Sequence, residues 1–432
     1  MKIAFWMLIS FFKELLFKIR SPQHLARMRE QNKKHILAHL KDYSFYDDKE
    51  IKCWEDIPVV DKKIYTANFE RFNLLQMTLS EAIGFGESLE KDGDFLKKKK
   101  GYTIGLSTGT SGVRSAFIIN SREIGVWAGT IVAKVLGWSF FRPQRIAFVF
   151  RAHSPLYDGI NLGWIKLNFF NLNSPIEEIA PKIKVFNPSV FMSVPNFYSQ
   201  YLKLREEADI QPRLLISGAD VLEGQEKLNI ESYFKAPLRE IYQATEGFLG
   251  VSCEKGQMHL NEDFYIVEKK FLTDEVFVPI LSDAKRKTQA IFRYQLDDLL
   301  CIGVNPCSCG RPSLAIKSID GRSDQVLTFE TKDGQKAEIF PDFLRQLISK
   351  GGRWYHWDYR IEQNAADSMD IIVDRQLEVS EVEKLKQYIR LALEPKNASW
   401  VNLRIRTDES LASKAAKRKR IVNLWSNTFA QP

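Results

Sequence analysis

The chain has 432 residues, more than the roughly 250 to 300 at which a single hydrophobic core stops growing, so at least two domains are expected. Apolar residues make up 44% and charged residues 27% of the chain, near the averages for globular proteins, which excludes a disordered or low-complexity chain. The formal net charge is +8, and because no nucleic-acid recognition motif accompanies it, a small polyanion is expected as partner rather than a nucleic acid.

The first twenty residues begin with a short apolar stretch over residues 3–12. It is shorter than the roughly 18 apolar residues that span a bilayer, and no small-residue cleavage site of a signal peptide follows. Polar residues at helical spacing predict one polar face, made by Ser10, Lys13, Glu14 and Lys18. We expect an amphipathic helix that docks on its own protein, with peripheral membrane contact through residues 1–20 as the alternative.

Five cysteines and no export signal favour reduced thiols and a cytoplasmic location, with the inner membrane face as the alternative. Two of them, Cys53 and Cys301, stand outside any pattern and are expected to be small buried hydrophobes.

Residues 1–100 are mainly helical in character, and the pattern changes at Gly101. Strand-like segments over residues 102–106 and 116–119 flank a loop rich in Ser, Thr and Gly, and a helix follows from Ser121 to about Leu136.

Short apolar runs then alternate with helical stretches, which predicts a largely parallel sheet. The runs cover residues 145–150, 190–193, 214–217 and 238–242. Ligands of such sheets bind beyond the carboxyl ends of the strands, where the loops over residues 217–220 and 243–246 begin. Both loops are therefore candidates for one site.

A smaller domain is predicted beyond residue 323. Residues 369–373 and 401–406 look like strands, and Ser380 with Glu383 looks like a capping box for the helix between them. The predicted fold class is α/β, with a large N-terminal domain of mostly parallel sheets and flanking helices. Residues 1–100 form its helical region, residues 101–323 its core, and residues 324–432 a small C-terminal α+β domain.

The loop Ser107-Thr108-Gly109-Thr110-Ser111-Gly112 alternates hydroxyl side chains with glycines. Its backbone amides can turn toward an anion while the side chains add donors, so a triphosphate is a natural ligand. A Walker loop is excluded because no Gly-Lys-Ser/Thr follows and the next predicted element is a strand. An ordinary surface turn is the alternative for this hexapeptide alone.

Three further segments follow in order: Tyr242-Gln243-Ala244-Thr245-Glu246, Arg293-Tyr294-Gln295-Leu296-Asp297-Asp298-Leu299 and Gly321-Arg322-Ser323-Asp324. Together the four segments resemble the core motifs of the adenylate-forming superfamily of acyl-CoA ligases, nonribosomal-peptide adenylation domains and luciferases. The closer resemblance, over nearly the whole chain, is to its phenylacetate–CoA ligase branch, in the subgroup known only as adenylate-forming enzymes. The resemblance implies ATP-dependent activation of a carboxylic acid, an aryl acid in that branch, to an acyl-adenylate with release of pyrophosphate.

The resemblance also implies roles for individual residues. ATP would be bound by the loop over residues 107–112, with Thr108, Thr110 and Ser111 on the phosphates, and by Gly218, Ala219, Tyr242, Asp298 and Arg322. Tyr242 would pack near the adenine and Asp298 would accept the ribose hydroxyls, although the preceding Asp297 leaves open which carboxylate does so. Thr245 would contact phosphate, and Glu246 would hold Mg²⁺, which prefers hard oxygen ligands. Asp324 matches the hinge about which the small domain of the superfamily rotates.

Relatives carry a catalytic lysine near the C-terminus, and Lys417 in Ala416-Lys417-Arg418-Lys419-Arg420 is the best match. Its ammonium would stabilise charge on the α-phosphate and carboxylate oxygens during attack. Lys414 and Lys419 compete for this role, and a plain solvated tail is the alternative. His153 could line the acyl pocket or belong to a surface loop.

A second pattern joins Cys253 and His259, on a predicted hairpin, to the CxC turn of Cys307 and Cys309. Three thiolates and an imidazole are a closed ligand set typical of structural zinc. The same branch resembles the chain here, with a CxCGR matching Cys307 to Arg311. Buried thiols plus a surface histidine are the alternative.

Coenzyme A is the favoured acyl acceptor, because no carrier-protein attachment domain is fused to the chain. An enzyme that stops at the adenylate or loads a separate carrier protein is the first alternative. A non-catalytic nucleotide- or nucleic-acid-binding protein on the same scaffold is the second.

Overall fold

The computed structural model describes residues 2–17, 21–92, 97, 99, 101–107, 114–150, 163–204, 210–331, 335–350, 357–411 and 420–425. The chain divides into two compact units. The larger comprises Met1–Leu222, Glu226–Leu296 and Leu300–Ser318, and the smaller comprises Glu223–Gln225, Asp297–Leu299 and Ile319–Pro432.

The α-helices of the described residues are α1 (Lys2–Leu16), α2 (Pro22–His39), α3 (Lys62–Ala67), α4 (Leu79–Asp92), α5 (Ser121–Val135), α6 (Ile176–Phe186), α7 (Pro195–Lys203), α8 (Gly224–Phe234), α9 (Pro341–Lys350) and α10 (Val379–Leu393). The first strands are β1 (Tyr102–Leu106), β2 (Ala116–Asn120), β3 (Gln144–Phe150), β4 (Ile165–Asn171), β5 (Val190–Ser193), β6 (Leu214–Gly218), β7 (Leu238–Ala244), β8 (Gly247–Ser252), β9 (Met258–Leu260) and β10 (Tyr265–Phe271). The remaining strands are β11 (Val276–Asp283), β12 (Tyr294–Gln295), β13 (Asp298–Ile302), β14 (Ala315–Arg322), β15 (Leu327–Glu330), β16 (Lys336–Ile339), β17 (Tyr359–Ala365), β18 (Ser368–Val373), β19 (Asn402–Thr407) and β20 (Ile421–Asn423). Within this part of the chain, no helix is long and apolar enough to cross a bilayer.

One sheet of twelve strands dominates the fold. Its order is β10-β11-β13-β14-β9-β8-β7-β6-β5-β3-β4, with β12 paired to β11. Strands β4, β3, β5, β6 and β7 run parallel, and β8 turns back antiparallel to β7. Apolar cores lie on both faces of the parallel half, one with α1 and α5 and the other with α6, α7 and α8. The predicted α/β fold class is confirmed, and the sequence pattern predicted only the hairpin of β8 and β9 within the antiparallel half.

The β1–β2 hairpin and α5 form where the sequence predicted them. Asn120 caps α5 by accepting hydrogen bonds from the Arg122 and Glu123 amides, at 2.9 and 3.0 Å, and Glu123 Oε2 accepts from the Asn120 amide at 3.1 Å. This reciprocal capping box satisfies backbone donors that the first helical turn leaves without partners.

Helix α1 packs directly along α5 at two glycines. A Cβ added at Gly129 would stand 2.2 Å from the Met7 carbonyl oxygen, and one at Gly125 would stand 2.5 Å from the Ile3 carbonyl oxygen. Because no side chain separates the two helices at these points, Met7 and Phe11 become buried against α5. The expected docking of the first helix on its own protein is observed.

The predicted polar face of α1 is wrong for Ser10 and Glu14, which turn inward. Ser10 is 5% exposed, and its hydroxyl lies 2.9 Å from that of Thr130 on α5. Glu14 lies 3.6 Å from the ammonium of Lys134, which also contacts Asp263 at 2.6 Å. Burial, together with the Asp263 carboxylate, raises the pKa of Glu14 to about 7. Small and paired polar groups can therefore occupy a helix interface that spacing alone assigns to water.

The smaller unit has its own core and a mixed sheet. Its strands run in the order β19-β18-β17-β20, with α9 and α10 contributing to the core. The two predicted strands and the helix between them are present as β18, β19 and α10, but the capping box of α10 is formed by Glu378 and Glu381 rather than by Ser380 and Glu383.

Candidate active site and cysteine cluster

Ser107 and Ser115 are joined by two hydrogen bonds at the base of the predicted phosphate loop, and we call this pair the neck of the loop. The Ser107 amide donates to the Ser115 carbonyl oxygen at 2.8 Å, and the Ser115 amide donates to the Ser107 hydroxyl at 2.7 Å. Arg114 braces the neck, donating to the Ser107 carbonyl oxygen at 3.2 Å and to Glu90 at 2.8 Å. The remaining loop residues, Thr108, Gly109, Thr110, Ser111 and Gly112, lie outside the described residues.

Strands β6 and β7 are parallel neighbours, and Gly218 at the end of β6 pairs with Ile241, three residues before β7 ends at Ala244. Ala219, directly after β6, adopts a left-handed conformation with φ of 66°. Tyr242 is buried within β7. The loops after both strands therefore begin at one edge, as the sequence predicted.

Thr245 and Glu246 form the turn between β7 and β8, and both are half-buried. The Thr245 hydroxyl donates to Glu246 Oε2 at 3.0 Å, and Arg286 donates to the Thr245 carbonyl oxygen at 3.4 Å. Gly247 follows with φ of 148°, and a Cβ there would stand 1.9 Å from the Tyr265 hydroxyl. Because of this contact and the positive φ, the turn requires glycine directly after Glu246.

A small pocket of about 20 Å³ joins this turn to the neck of the phosphate loop. Thr245 and Glu246 line it together with Ser115, Ala116 and Arg286. Two of the four sequence segments are thus adjacent in space. Arg286 was missed from the sequence because it lies in no motif, and only the fold brings it here.

In the smaller unit, Arg322 pairs with Asp297. Its Nη2 lies 2.6 Å from Asp297 Oδ2, and its Nε lies 3.6 Å from Asp324. Burial opposes the charge on Arg322, but Asp324 and Asp297 outweigh burial and raise the pKa of the guanidinium. Asp298 begins β13 and is half-buried. The Asp298 carboxylate also raises the pKa of Arg322, although less than Asp324 and Asp297 do.

The predicted cysteine and histidine residues come together. Cys253 follows β8, His259 lies in β9, and Cys307 and Cys309 lie between β13 and β14. Their candidate ligand atoms all lie within 4.8 Å of one another. Antiparallel pairing of β8 with β9 confirms the predicted hairpin, and pairing of Ala315 with His259 brings the CxC turn alongside.

The donor set of this cluster suits a tetrahedral ion. Zinc–sulfur bonds of about 2.3 Å put neighbouring ligand atoms roughly 3.8 Å apart, comparable with the observed spacing. His259 Nδ1 lies 3.0 Å from the Ser313 carbonyl oxygen, so the Nδ1–H form leaves the Nε2 lone pair toward Cys309 Sγ at 3.4 Å. Such an outer hydrogen bond is typical of metal-binding histidines. Burial lowers the pKa of His259, which favours the neutral ring.

The thiols of the CxC turn differ in acidity. Burial raises the pKa of Cys309 to about 11, whereas a hydrogen bond from the Cys309 backbone lowers the pKa of Cys307. The Lys255 and Arg311 amides donate to the sulfurs of Cys253 and Cys309 at 3.4 and 3.5 Å. The surroundings therefore favour the thiolate form at Cys307 and disfavour it at Cys309.

Other sequence predictions have different outcomes. Cys301 is buried as expected, but Cys53 is exposed, because it begins a short 3-10 turn at the surface. The candidate lysines Lys414, Lys417 and Lys419, together with His153, lie outside the described residues.

Comparison with known proteins gives a fold but not a sequence family. The sequence matches no protein-family model. It also matches no curated protein.

Among solved structures, the chain is similar to a 2-hydroxyisobutyryl-CoA ligase in the postadenylation state, in complex with R3-HIB-AMP. The TM-score is 0.66 at 14% identity, over 94% of this chain and 90% of that one. The anthranilate CoA ligase AuaEII, in complex with anthranoyl-AMP, is similar over 73% of this chain and 66% of its own, with a TM-score of 0.52 and 13% identity. A benzoate CoA ligase from Burkholderia xenovorans LB400 gives the same TM-score and identity, over 74% and 67% of the two chains. These likenesses show a shared fold.

Proposed function

We propose that this protein is an adenylate-forming ligase of the phenylacetate–CoA ligase-like kind. It would activate a carboxylic acid, an aryl acid by resemblance, with ATP and Mg²⁺, and then form a thioester with coenzyme A. The observation that carries the proposal is the adjacency of Thr245 and Glu246 to the neck of the Ser107 loop, in a fold shared with CoA ligases.

The residues would act by positioning charge. Amides and hydroxyls of the Ser107–Gly112 loop would bind the β- and γ-phosphates, and Glu246 would hold a magnesium ion, which neutralises phosphate charge when bound. Thr245 would orient Glu246 through the hydrogen bond observed at 3.0 Å. Asp298 would accept hydrogen bonds from the ribose hydroxyls, while the preceding residue, Asp297, binds Arg322.

A carboxylate oxygen of the acid would attack the α-phosphorus directly as pyrophosphate leaves, so no protein nucleophile is required. The coenzyme A thiol would then attack the acyl carbon of the adenylate, and AMP would leave. Lys417 would stabilise charge on the reacting oxygens. The domain division at residues 323 and 324, with Asp324 as hinge of a mobile small domain, belongs to the same proposal.

We further propose that the cysteine cluster binds structural zinc. Cys253, His259, Cys307 and Cys309 provide four ligands, which leaves no open position for catalysis. Elemental analysis of the purified protein should give about one zinc per chain. Cys309→Ser should lose the metal, whereas Cys53→Ser, at the surface and outside the cluster, should retain it. Metal-free wild-type protein would contradict the zinc assignment.

Pyrophosphate exchange over a panel of carboxylic acids tests the catalytic proposal. The panel should include benzoate, anthranilate, phenylacetate and 2-hydroxyisobutyrate, and exchange should appear with at least one aryl acid. Glu246→Gln should abolish exchange, while Glu275→Gln, an exposed acid between β10 and β11, should leave it intact.

The acceptor is identified by a second measurement on the same enzyme. Consumption of the coenzyme A thiol that depends on ATP and acid supports thioester formation. Exchange without thiol consumption would instead indicate an enzyme that stops at the adenylate or loads a carrier protein. Failure of every acid while ATP still binds would overturn the enzymatic proposal.

A further inference from the structure

The solvent side of α1 is apolar. Five residues of this helix at helical spacing stay exposed on the side away from α5, and a sixth follows directly: Phe5, Leu8, Ile9, Phe12, Leu16 and Phe17. Phe5 is 59% and Phe17 is 73% exposed. Since the opposite side of α1 is already buried, this stripe is not needed for docking on α5.

The stripe continues onto neighbouring elements of the larger unit. Phe12 stacks on Phe141 with ring centroids 6.0 Å apart, and Phe141 lies 6.3 Å from Trp138, which is 58% exposed. Trp164 adds a third exposed ring, 6.2 Å from the buried Phe140. We call the α1 stripe together with Trp138, Phe141 and Trp164 the aromatic face. Contiguous exposed apolar surface of this kind marks an interaction site.

Positive charges lie on and next to the segments that carry the aromatic face. Lys2 and Lys13 on α1, Arg122 at the start of α5 and Arg142 after Phe141 are all exposed. The one acidic residue among residues 2–17 is Glu14, and it faces inward toward Lys134. Residues 137–145 and 163–166 contain no acid at all.

We propose that the aromatic face binds the surface of an anionic lipid bilayer, with α1 lying in the plane of the interface. Aromatic and aliphatic side chains would enter the headgroup boundary while the lysines and arginines meet the lipid phosphates. A second copy of the chain is a poorer occupant, because it would bring one positively charged face against another. The proposal does not depend on the catalytic site.

Co-sedimentation of the full-length protein with vesicles tests the proposal. The protein should bind phosphatidylcholine vesicles that contain phosphatidylserine, and bind pure phosphatidylcholine more weakly. Raising the salt concentration should weaken binding to the anionic vesicles, because exposed charges are screened. Lys13→Gln and Arg142→Gln should each reduce that binding about fivefold.

Substitution of exposed apolar side chains gives a second test of membrane binding. The double variant Phe17→Ser, Trp138→Ser should lower the partition coefficient by more than about tenfold. Both residues are more than half exposed, so its unfolding midpoint should stay unchanged. Phe271→Ser is the matched control, because Phe271 is 50% exposed on β10, at the other edge of the large sheet.

Three results would overturn the proposal. These are no binding to either vesicle, equal binding of the wild type and the double variant, and a concentration-dependent dimer that the double variant abolishes without any vesicle binding. The last result would assign the aromatic face to a contact between copies.

Discussion

Replacing Gly129 with alanine tests the packing of α1 on α5. The added Cβ would stand 2.2 Å from the Met7 carbonyl oxygen and 2.9 Å from Ser10 Cβ, and the first of these neighbours is backbone that cannot rotate away. Alanine raises helix propensity over glycine by about 1 kcal/mol, whereas overpacking typically costs about 1–3 kcal/mol. We therefore expect Gly129→Ala to lower the free energy of unfolding by up to about 2 kcal/mol.

Gly84→Ala is the matched control for this substitution. Gly84 lies inside α4, and a Cβ there would meet nothing within 4 Å. The control therefore gains helix propensity without a clash and should be more stable than the wild type by about 1 kcal/mol. Denaturant unfolding gives both free energies, and hydrogen exchange of the α1 amides locates the change. Equal stabilisation by both variants would refute the close-packed interface.

Three further predictions concern Glu14, the cysteine cluster and the aspartate pair. The folded pKa of Glu14, about 7, exceeds its ordinary value of 4.5, so the folded state binds more protons between these values. Its contribution to stability, up to about 3 kcal/mol, should therefore fall as pH rises from about 4.5 to 7. Glu14→Gln should flatten this dependence of the unfolding free energy on pH, whereas the exposed control Glu50→Gln should keep the dependence of the wild type. If the two variants show the same dependence on pH, the pKa assigned to Glu14 is wrong. Removing bound metal with a strong chelator should lower the melting temperature by several degrees in wild type but not in Cys309→Ser. Asp298→Asn should raise the KM for ATP about tenfold or more, whereas Asp297→Asn should mainly lower stability; the reverse pattern would move the ribose contact to Asp297.

The sequence predicts best where one local signal determines one element. The strand-like segments over residues 102–106 and 116–119 and the helix expected from Ser121 to about Leu136 match β1, β2 and α5 to within about a residue. The CxC turn and the Cys253–His259 spacing predict a cluster that the strand pairing assembles. The first signal lies within one stretch of chain, whereas the second joins two short patterns about fifty residues apart.

Longer-range features were not predictable in this way. Ser10 and Glu14 look solvent-facing by spacing, but Thr130 and Lys134, more than a hundred residues later, provide partners for them inside the protein. Arg286 reaches the Thr245 turn only because β11 returns antiparallel beside β10. The sequence likewise does not show which of the two adjacent aspartates binds Arg322. The choice of Asp297 depends on side-chain geometry.

The dependence of α1 on α5 has a consequence during synthesis. About a hundred residues separate Leu16 from Ser121, and at roughly 5–20 residues per second the ribosome needs about 5 to 20 seconds to produce them. Throughout that interval the helix exists without the glycine surface that covers Met7 and Phe11, so apolar side chains are available on both of its sides. Apolar side chains exposed in this way make a nascent chain prone to aggregation. This interval is also when chaperones that recognise short apolar segments have access to the inner side of the helix.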